Sequence, residues 1–202
     1  DRLHTPLVSS VPHPVLRALR EPGPGDRLAL VIEGGGMRGA VSGGMALALH
    51  ELGFADRFDA AFGSSAGALN AMWLISGRAE DGIRTWTDTE LGKELMSKRR
   101  IFGERPIVDI KTLIEQHYER ISPGLYDAVL GADTEFHPLA TDISIGAAVD
   151  LHPQITNRES LQLAIRATST LPLIGGPPVP FEGARYLDAG LSAAAHEEIR
   201  ES

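Results

Sequence analysis

The sequence predicts an α/β fold built on a layered sheet, because short apolar segments typical of strands alternate with segments of helical periodicity. Two of these apolar segments, residues 28–32 and 58–62, each run into a glycine-containing turn and then into a helical pattern. With 202 residues and 43% hydrophobic content, the chain can bury one sizeable core. We therefore expect a single globular domain over residues 27–202.

Residues 1–26 are expected to stand apart from that domain as an extended, Pro/Gly-rich segment. Five prolines and two glycines fall between Pro6 and Gly25, and both residue types interrupt regular structure. Within this segment, only Val15–Arg20 is expected to form a short turn.

The first predicted strand is the continuous apolar run Leu28–Ile32, and its lack of polar alternation is typical of a parallel strand buried on both faces. It runs into the glycine-rich loop Glu33–Gly39, and a helix follows directly. Gly53 lies where a C-terminal glycine cap belongs. The residues expected on the buried face of that helix are Val41, Met45, Ala48 and Leu52.

A glycine-rich loop before a helix presents unpaired N–H groups at the positive end of a dipole, which suits an anion. One candidate is the oxyanion formed when a serine attacks an ester, with N–H groups of Gly35 and Gly36 as donors and Arg38 adding positive charge. The other is a dinucleotide pyrophosphate, because the loop fits GxGxxG and Asp59 follows about 20 residues later. The glycine pattern does not separate the two.

The second predicted strand, Phe58–Phe62, leads into the pentapeptide GSSAG, which has the GxSxG spacing of a nucleophile elbow. Such a turn holds its central residue, Ser65, in a strained conformation with the hydroxyl projecting. The small neighbours Gly63 and Gly67 allow strand and helix to approach closely. Ser65 is therefore the predicted nucleophile, whereas Ser64 is expected to face inward or to cap the helix.

The middle of the chain carries further predicted elements. Arg78–Ser97 has a helical pattern, and Asp109 is placed to cap a second helix that ends near Ile121. Phe136–Thr141 and Ala147–Leu151 have the composition of strands.

A capping box formed by Thr156 and Glu159 is expected to begin the next helix. Arg166 in that helix is expected to be solvated or to form a salt bridge. The apolar face of the helix is predicted to consist of Leu161, Ala164, Ile165 and Thr168.

Near the end of the chain, Arg185–Asp188 has the pattern of a short strand that ends in an acid beside a small-residue turn. Asp188 is the candidate base that activates Ser65. A Ser-His-Asp triad of Ser65, Asp188 and His196 is the alternative in the residue order of α/β-hydrolases.

The motifs resemble those of the patatin-like phospholipases in identity and order, over roughly residues 27–192. The resemblance implies a three-layer α/β/α sandwich around a central, mostly parallel sheet. The matching segments are the GGGMRG loop, the GSSAG elbow, Ala140–Asp142, Ala164–Thr168 followed by Leu171 and Pro172, and Asp188–Gly190.

The resemblance also implies the roles of the site residues. In that family the central serine of GxSxG is the nucleophile, and the aspartate of a DG[GA] motif completes a Ser-Asp dyad without histidine. By position these are Ser65 and Asp188, the latter acting as general base and then as acid. The expected activity is hydrolysis of fatty acyl esters of lipids or phospholipids through an acyl-enzyme. The oxyanion hole implied by the family's glycine loop comprises Gly34, Gly35, Gly36 and Arg38.

Two features depart from the family pattern. The final motif is DAG, so Ala189 occupies a position where glycine is usual. If that position requires positive φ, the alanine would be strained by roughly 1 kcal/mol or more, and Asp188 could be displaced. Only 14 residues (202 minus 188) follow Asp188, whereas the family continues with a further strand and helix. A catalytically impaired lipid-binding protein on the same fold is therefore an alternative, as is a dinucleotide-binding module.

Other site chemistries lack a sequence signal. The chain has no cysteine, no HExxH and no CxxC, so we expect neither a structural zinc site nor any cofactor. His137 and His152 each precede a proline in extended segments, and a structural or surface role is expected for both.

Net charge and hydropathy limit the classes of partner that the protein is expected to bind. A net charge of −8 argues against nucleic acid, and no apolar run has the length of a membrane span. The basic cluster Lys98–Arg100 beside Ile101 and Phe102 could touch a lipid surface. We expect a cytoplasmic protein, at most peripherally bound to membranes, while oligomeric state and the natural ester remain open.

Overall fold

The computed structural model of the chain describes residues 13–96 and 106–191. In this part of the chain, six strands form one sheet: β1 (Ala29–Ile32), β2 (Ala60–Ser64), β3 (Glu135–Asp142), β4 (Ala147–Asp150), β5 (Val179–Phe181) and β6 (Ala184–Asp188). The helices of the same part are α1 (Pro14–Arg20), α2 (Gly39–Glu51), α3 (Ala66–Ile75), α4 (Ala79–Thr87), α5 (Thr89–Leu95), α6 (Ile110–Thr112), α7 (Tyr118–Ile121), α8 (Leu125–Leu130) and α9 (Arg158–Ser169). A π-helical segment, Leu113–His117, joins α6 to α7, so residues 110–121 form one continuous helix.

The strand order is β1-β2-β3-β6-β5, with β4 paired to β3 outside this path. The strands β1, β2 and β3 are parallel, and the pairings of β3 with β4, β3 with β6 and β5 with β6 are antiparallel. The α/β fold class predicted from the sequence is confirmed.

The register along β3 determines which strand ends meet. The last residue of β2, Ser64, lies opposite Leu139, and the last residue of β6, Asp188, lies opposite the next residue, Ala140. The carboxyl ends of β2 and β6 therefore meet against β3, although more than 120 residues separate them in the chain.

Buried side chains on one face of the sheet form the main core, between β2 and β3 and the helices α3, α8 and α9 together with residues 110–121. The largest of its fully buried members are Met72, Trp73, Ile114, Tyr118, Leu125, Tyr126, Leu161 and Ile165. The apolar face predicted for α9 is buried as expected.

The buried face of α2 consists of small residues. The prediction that its larger apolar residues would form this face is wrong. Gly39, Gly43 and Ala46 are buried, whereas the predicted face is exposed. A Cβ on Gly39 would lie 2.5 Å from the ring of Trp86, so α2 packs too closely on α4 for larger side chains. The exposed fractions are 64% for Val41, 63% for Met45 and 66% for Leu52. The predicted cap is confirmed, since Gly53 has a φ of 73°.

Strand β1 is not buried on both faces, contrary to the expectation from its continuous apolar run. Leu30 and Ile32 contact the main core, but Val31 on the opposite face is 45% exposed. In the described part of the chain, the face of the sheet that carries Val31 is only partly covered, and it includes the half-buried Phe62 and His137.

Two local predictions also need correction, and a third is confirmed. The helix expected over Arg78–Ser97 is broken at Asp88, which adopts an extended conformation and caps α5 by accepting bonds from the N–H groups of Glu90 and Leu91. The capping box of α9 is formed by Asn157 and Ser160, not by Thr156 and Glu159. Asp109 caps its helix as expected, through the N–H of Thr112.

The N-terminal segment is interrupted where a short turn was expected at Val15–Arg20, and the structure forms the helix α1 (Pro14–Arg20) there. Leu19 of this helix is buried with Ala46, Phe58 and Leu74 in a small core. This contact attaches the described part of the segment to the domain, while the boundary at residue 26 stays a prediction.

Candidate active site

Ser65 occupies the turn between β2 and α3 in a conformation that side chains rarely adopt. Its φ is 52° and its ψ is −128°, and it is one of three non-glycine residues with positive φ in the described part of the chain. Such strain persists only where the surrounding structure enforces it, and it is frequent at functional sites. The residue also precedes the first turn of α3, so its hydroxyl lies near the positive end of the helix dipole.

The two flanking glycines are required by close backbone contacts. A Cβ on Gly63 would lie 2.5 Å from the Cα of Ala68, and one on Gly67 would lie 2.0 Å from the carbonyl oxygen of Ile32. No side chain fits at these distances, because real Cβ atoms do not approach within 3.0 Å. The spacing of the pentapeptide therefore reflects strand–helix approach, as the sequence predicted.

The backbone of Ser65 is hydrogen-bonded to a helix that is distant in the sequence. Its N–H donates a 2.9 Å hydrogen bond to Oγ1 of Thr168, which lies on α9 and is fully buried. The same hydroxyl donates to the carbonyl oxygen of Leu139 on β3. Thr168 thus connects the elbow, α9 and the central strand through one side chain.

Asp188 is held equally firmly at the end of β6. Its N–H donates to the carbonyl of Thr170 (2.9 Å), and its own carbonyl accepts a 3.0 Å bond from the hydroxyl of Thr141. One carboxylate oxygen, Oδ1, accepts a 2.9 Å bond from the N–H of Gly190. The other, Oδ2, is buried and has no hydrogen bond of standard geometry in the described part of the chain.

Asp188 is only 2% exposed, and this burial raises the pKa of its carboxyl group. Two interactions partly oppose this effect: the hydroxyl of Ser65 and the N–H of Gly190 both stabilise the carboxylate and lower its pKa. The structure therefore brings Ser65 and Asp188 into contact, with the acid in an environment that strengthens it as a base.

Ala189 is accommodated without strain. It is buried, and it is not among the residues with positive φ. The displacement of Asp188 that a positive φ at this position would cause does not occur.

The glycine-rich loop lies directly against the elbow. The N–H of Gly34 donates a 3.0 Å bond to the hydroxyl of Ser64, so Ser64 anchors the loop and does not cap α3. The N–H groups of Gly35 and Gly36 have no partner in the described part of the chain, and Gly36 has a φ of 55°, a value that favours glycine. Arg38 is exposed and has no ion pair among the described residues.

Ser65 opens into a cavity of about 700 Å³ whose other walls are mainly apolar. The volume falls within the range of small-molecule binding sites, about 300–1,000 Å³. No histidine of the described chain lines it. Its apolar walls come from α3, α5, the 110–121 helix and the segment after α9, through Leu69, Leu91, Leu95, Met96, Val108, Ile110, Leu113, Leu171 and Ile174.

A buried polar network beside the site was not predicted. Asn70 on α3 donates to the carbonyl of Gly39 and to the hydroxyl of Ser42, both at 2.8 Å, and accepts a 2.8 Å bond from the indole N–H of Trp86. These bonds fix the start of α2, and hence the glycine loop, against α3 and α4. The predicted salt bridge of Arg166 is present, with Glu115 at 2.9 Å.

The arrangement disfavours the dinucleotide alternative. Asp59 immediately precedes β2, so it lies at the amino end of the parallel strands, whereas the glycine loop follows the carboxyl end of β1. Its carboxylate binds the N–H of Leu28 (2.7 Å) and the side chain of Arg27 (2.8 Å). It therefore cannot reach a ribose whose phosphates lie on the loop.

Two sequence predictions fall outside the described residues: His196, the third member of the alternative triad, and the basic and apolar cluster at residues 98–102.

A family model described as patatin-like phospholipase matches residues 30–198, which is most of the chain. The domain of that family has a three-layer α/β/α fold. A comparison with curated proteins gives no match. Among the described residues, no helix is both long enough and apolar enough to cross a bilayer.

Proposed function

Because the chain belongs to the patatin-like phospholipase family, which acts on lipids, we propose that it hydrolyses fatty acyl esters through a Ser65–Asp188 dyad. One observation carries the proposal: a serine hydroxyl on a strained elbow contacts a buried carboxylate and opens into an apolar cavity. A merely structural serine would need neither the strain nor the buried acid.

The first half of the reaction forms an acyl-enzyme. Oγ of Ser65 attacks the ester carbonyl carbon while Asp188 accepts the hydroxyl proton. The carbonyl oxygen becomes negatively charged and accepts hydrogen bonds from the N–H groups of Gly35 and Gly36, near the positive charge of Arg38. The bond to the leaving alcohol then breaks, Asp188 returns the proton to that alcohol, and the acyl group remains on Ser65.

The second half releases the acid. Water attacks the acyl carbon and gives a proton to Asp188, and the same N–H groups stabilise the second oxyanion. The bond from carbon to Oγ breaks, and Ser65 regains its proton from Asp188. In this scheme Gly34 acts through its bond to Ser64, which holds the loop in place.

The cavity supports an acyl chain as the bound part of the substrate. Its walls are apolar over most of their area. A hydrocarbon chain would therefore be buried there favourably, whereas a polar head group would find few hydrogen-bond partners. We assign the head group to the open side of the cavity, near the exposed Met37.

The cavity mouth also supports contact with a lipid surface. Met37, Met96 and Ile174 line the cavity and are exposed, and the adjacent Leu173 is 93% exposed with a φ of 65°. A large apolar side chain held outward in a strained conformation suits insertion among lipid chains.

An active-site serine probe tests the dyad. A fluorophosphonate should label the protein once, at Ser65, and Ser65→Ala should abolish both labelling and hydrolysis of acyl esters. The matched control Ser144→Ala, at an exposed serine, should retain both. Labelling of another residue would refute the assignment of the nucleophile, and lipid binding without labelling or hydrolysis would favour the catalytically impaired alternative.

A further inference from the structure

Three potential metal ligands meet on the partly covered face of the sheet, away from Ser65. One ligand atom each from Glu135, His137 and His152 lies within 4.8 Å of the other two. Glu135 and His137 are alternate residues of β3 and share a face, and the chain returns through β4 to place His152 beside them. None of the three lines the cavity at Ser65.

The second nitrogen of each imidazole is already engaged. Nδ1 of His152 lies 3.0 Å from the carbonyl oxygen of Phe136, which can only accept, so this nitrogen carries the proton. Nδ1 of His137 lies 2.7 Å from Oδ2 of Asp150. In its neutral form each imidazole therefore keeps a lone pair on Nε2, as in metal-binding histidines whose other nitrogen donates to a carbonyl or carboxylate.

A cation bound beside His137 would give its Nε2 atom an interaction that it otherwise lacks. Its Nε2 is buried without a hydrogen bond in the described part of the chain, and Oε2 of Glu135 lies 3.5 Å away. When the imidazole is neutral, these two acceptors repel each other unless a cation, either a metal ion or a proton on Nε2, lies between them. The imidazole is also held in place, because it stacks on Phe62 at 4.3 Å and on His152 at 4.4 Å.

We propose that Glu135, His137 and His152 bind one divalent zinc ion. Two imidazoles and one carboxylate are an established donor set for Zn²⁺, and they leave a fourth position for water. Bonds of about 2.0–2.1 Å in a tetrahedral site place ligand atoms roughly 3.4 Å apart. The side chain of Glu135 is 58% exposed and can rotate to close that distance. The ion would link β3 to the chain after β4.

This inference departs from the expectation of no metal, which rested on the absence of HExxH and CxxC motifs. The two histidines are 15 residues apart (152 minus 137), so no short motif contains them. Only the antiparallel pairing of β3 and β4 brings them together.

Calorimetric titration of the tag-free, EDTA-treated full chain with ZnCl₂ tests the proposal. We expect one ion per chain and a rise in melting temperature with zinc. Asp150→Asn alters only the hydrogen bond to His137 and should weaken zinc binding by about 10–100-fold. Glu135→Gln and His152→Ala each remove a ligand and should weaken it more. Glu135→Gln is the safer variant for folding, because its side chain is exposed.

Two controls separate this site from other histidines. His50→Gln, and His4→Gln combined with His196→Gln, should bind zinc like the unaltered chain. In a separate experiment, Co²⁺ should give the visible absorption of a tetrahedral site, and the absorption should vanish in Glu135→Gln. The proposal is overturned if the unaltered chain binds no zinc, if Glu135→Gln and His152→Ala both retain full affinity, or if either control abolishes binding. Because the assay measures binding, failure here leaves the ester hydrolase proposal untouched.

Discussion

Burial of Asp188 sets the electrostatics of the candidate dyad. A base must be deprotonated to accept the proton of Ser65, and burial raises the pKa of this carboxyl above its ordinary value of 3.8. We expect kcat/KM to fall as the pH is lowered through that raised pKa. An acidic limb centred at or below pH 3.8, measured with a soluble ester, would show that Asp188 is not the base.

Asp188→Asn should lower kcat by about 10²–10⁴-fold, the usual contribution of a general base. The variant keeps the shape of the side chain and can still accept the N–H of Gly190. Asp133→Asn, at an exposed aspartate, is the matched control and should keep full activity. Near-normal turnover of Asp188→Asn would point to a histidine base.

The same substitution should stabilise the protein at neutral pH. Well below pH 3.8 the carboxyl of Asp188 is protonated and neutral in both the folded and unfolded states, so folding buries no charge at this position. As the pH rises, the unfolded carboxyl ionises first and the native state loses relative stability. We therefore expect the melting temperature of Asp188→Asn to exceed that of the unaltered chain at pH 7.5, with a smaller difference at pH 4.5. An equal or lower melting temperature at pH 7.5 would contradict this prediction.

Thr168 is a positioning residue for Ser65. Thr168→Val keeps the shape but leaves the N–H of Ser65 and the carbonyl of Leu139 unpaired in a buried site, at a cost of about 1–3 kcal/mol each. We expect kcat to fall by more than 10-fold with little change in KM. Thr168→Ser restores the hydroxyl and should restore kcat, whereas a loss that serine does not rescue would indicate a packing role only.

At the scale of the element, α2 offers two glycines with opposite expected effects. A Cβ on Gly39 would meet Trp86 at 2.5 Å and Ala66 at 2.7 Å, whereas one on Gly44 would meet nothing within 4 Å. Gly39→Ala should therefore destabilise the protein by about 1–3 kcal/mol, and Gly44→Ala should stabilise it by about 0.5–1 kcal/mol. Denaturant unfolding of both variants measures this, and a destabilising Gly44→Ala would refute the packing derived for α2.

The small-residue face of α2 explains why its prediction from periodicity failed. Apolar periodicity assumes that large side chains face the core. Here Trp86 of α4 fills the space instead, and the larger residues of α2 face outward. In contrast, the caps at Gly53 and Asp109 were predictable, because a cap depends on a few neighbouring residues.

At the scale of the whole molecule, the apolar mouth of the cavity should matter only for aggregated substrate. Leu173→Ser should lower hydrolysis of phospholipid vesicles several-fold while leaving hydrolysis of a soluble short-chain ester unchanged. Ile145→Ser, at a similarly exposed apolar residue in the turn between β3 and β4, is the matched control and should change neither rate. Equal loss of both activities in Leu173→Ser would indicate a damaged site rather than a lost surface contact.

Short segments of sequence were enough to predict the local geometry of the site. Gly63 and Gly67 around Ser65, the glycine loop, and a strand ending at Asp188 are backbone requirements of short segments, so residue type and spacing specify them. The α/β class followed in the same way from alternating strand and helix patterns.

Which distant residues meet depends on how the whole chain folds. The contact of Ser65 with Asp188 depends on adjacent positions along β3, the role of Thr168 on the docking of α9, and the gathering of Glu135, His137 and His152 on the pairing of β3 with β4. Strand register and helix packing are set by the free energy of the whole core, and a short window of sequence does not contain the partners that contribute to it.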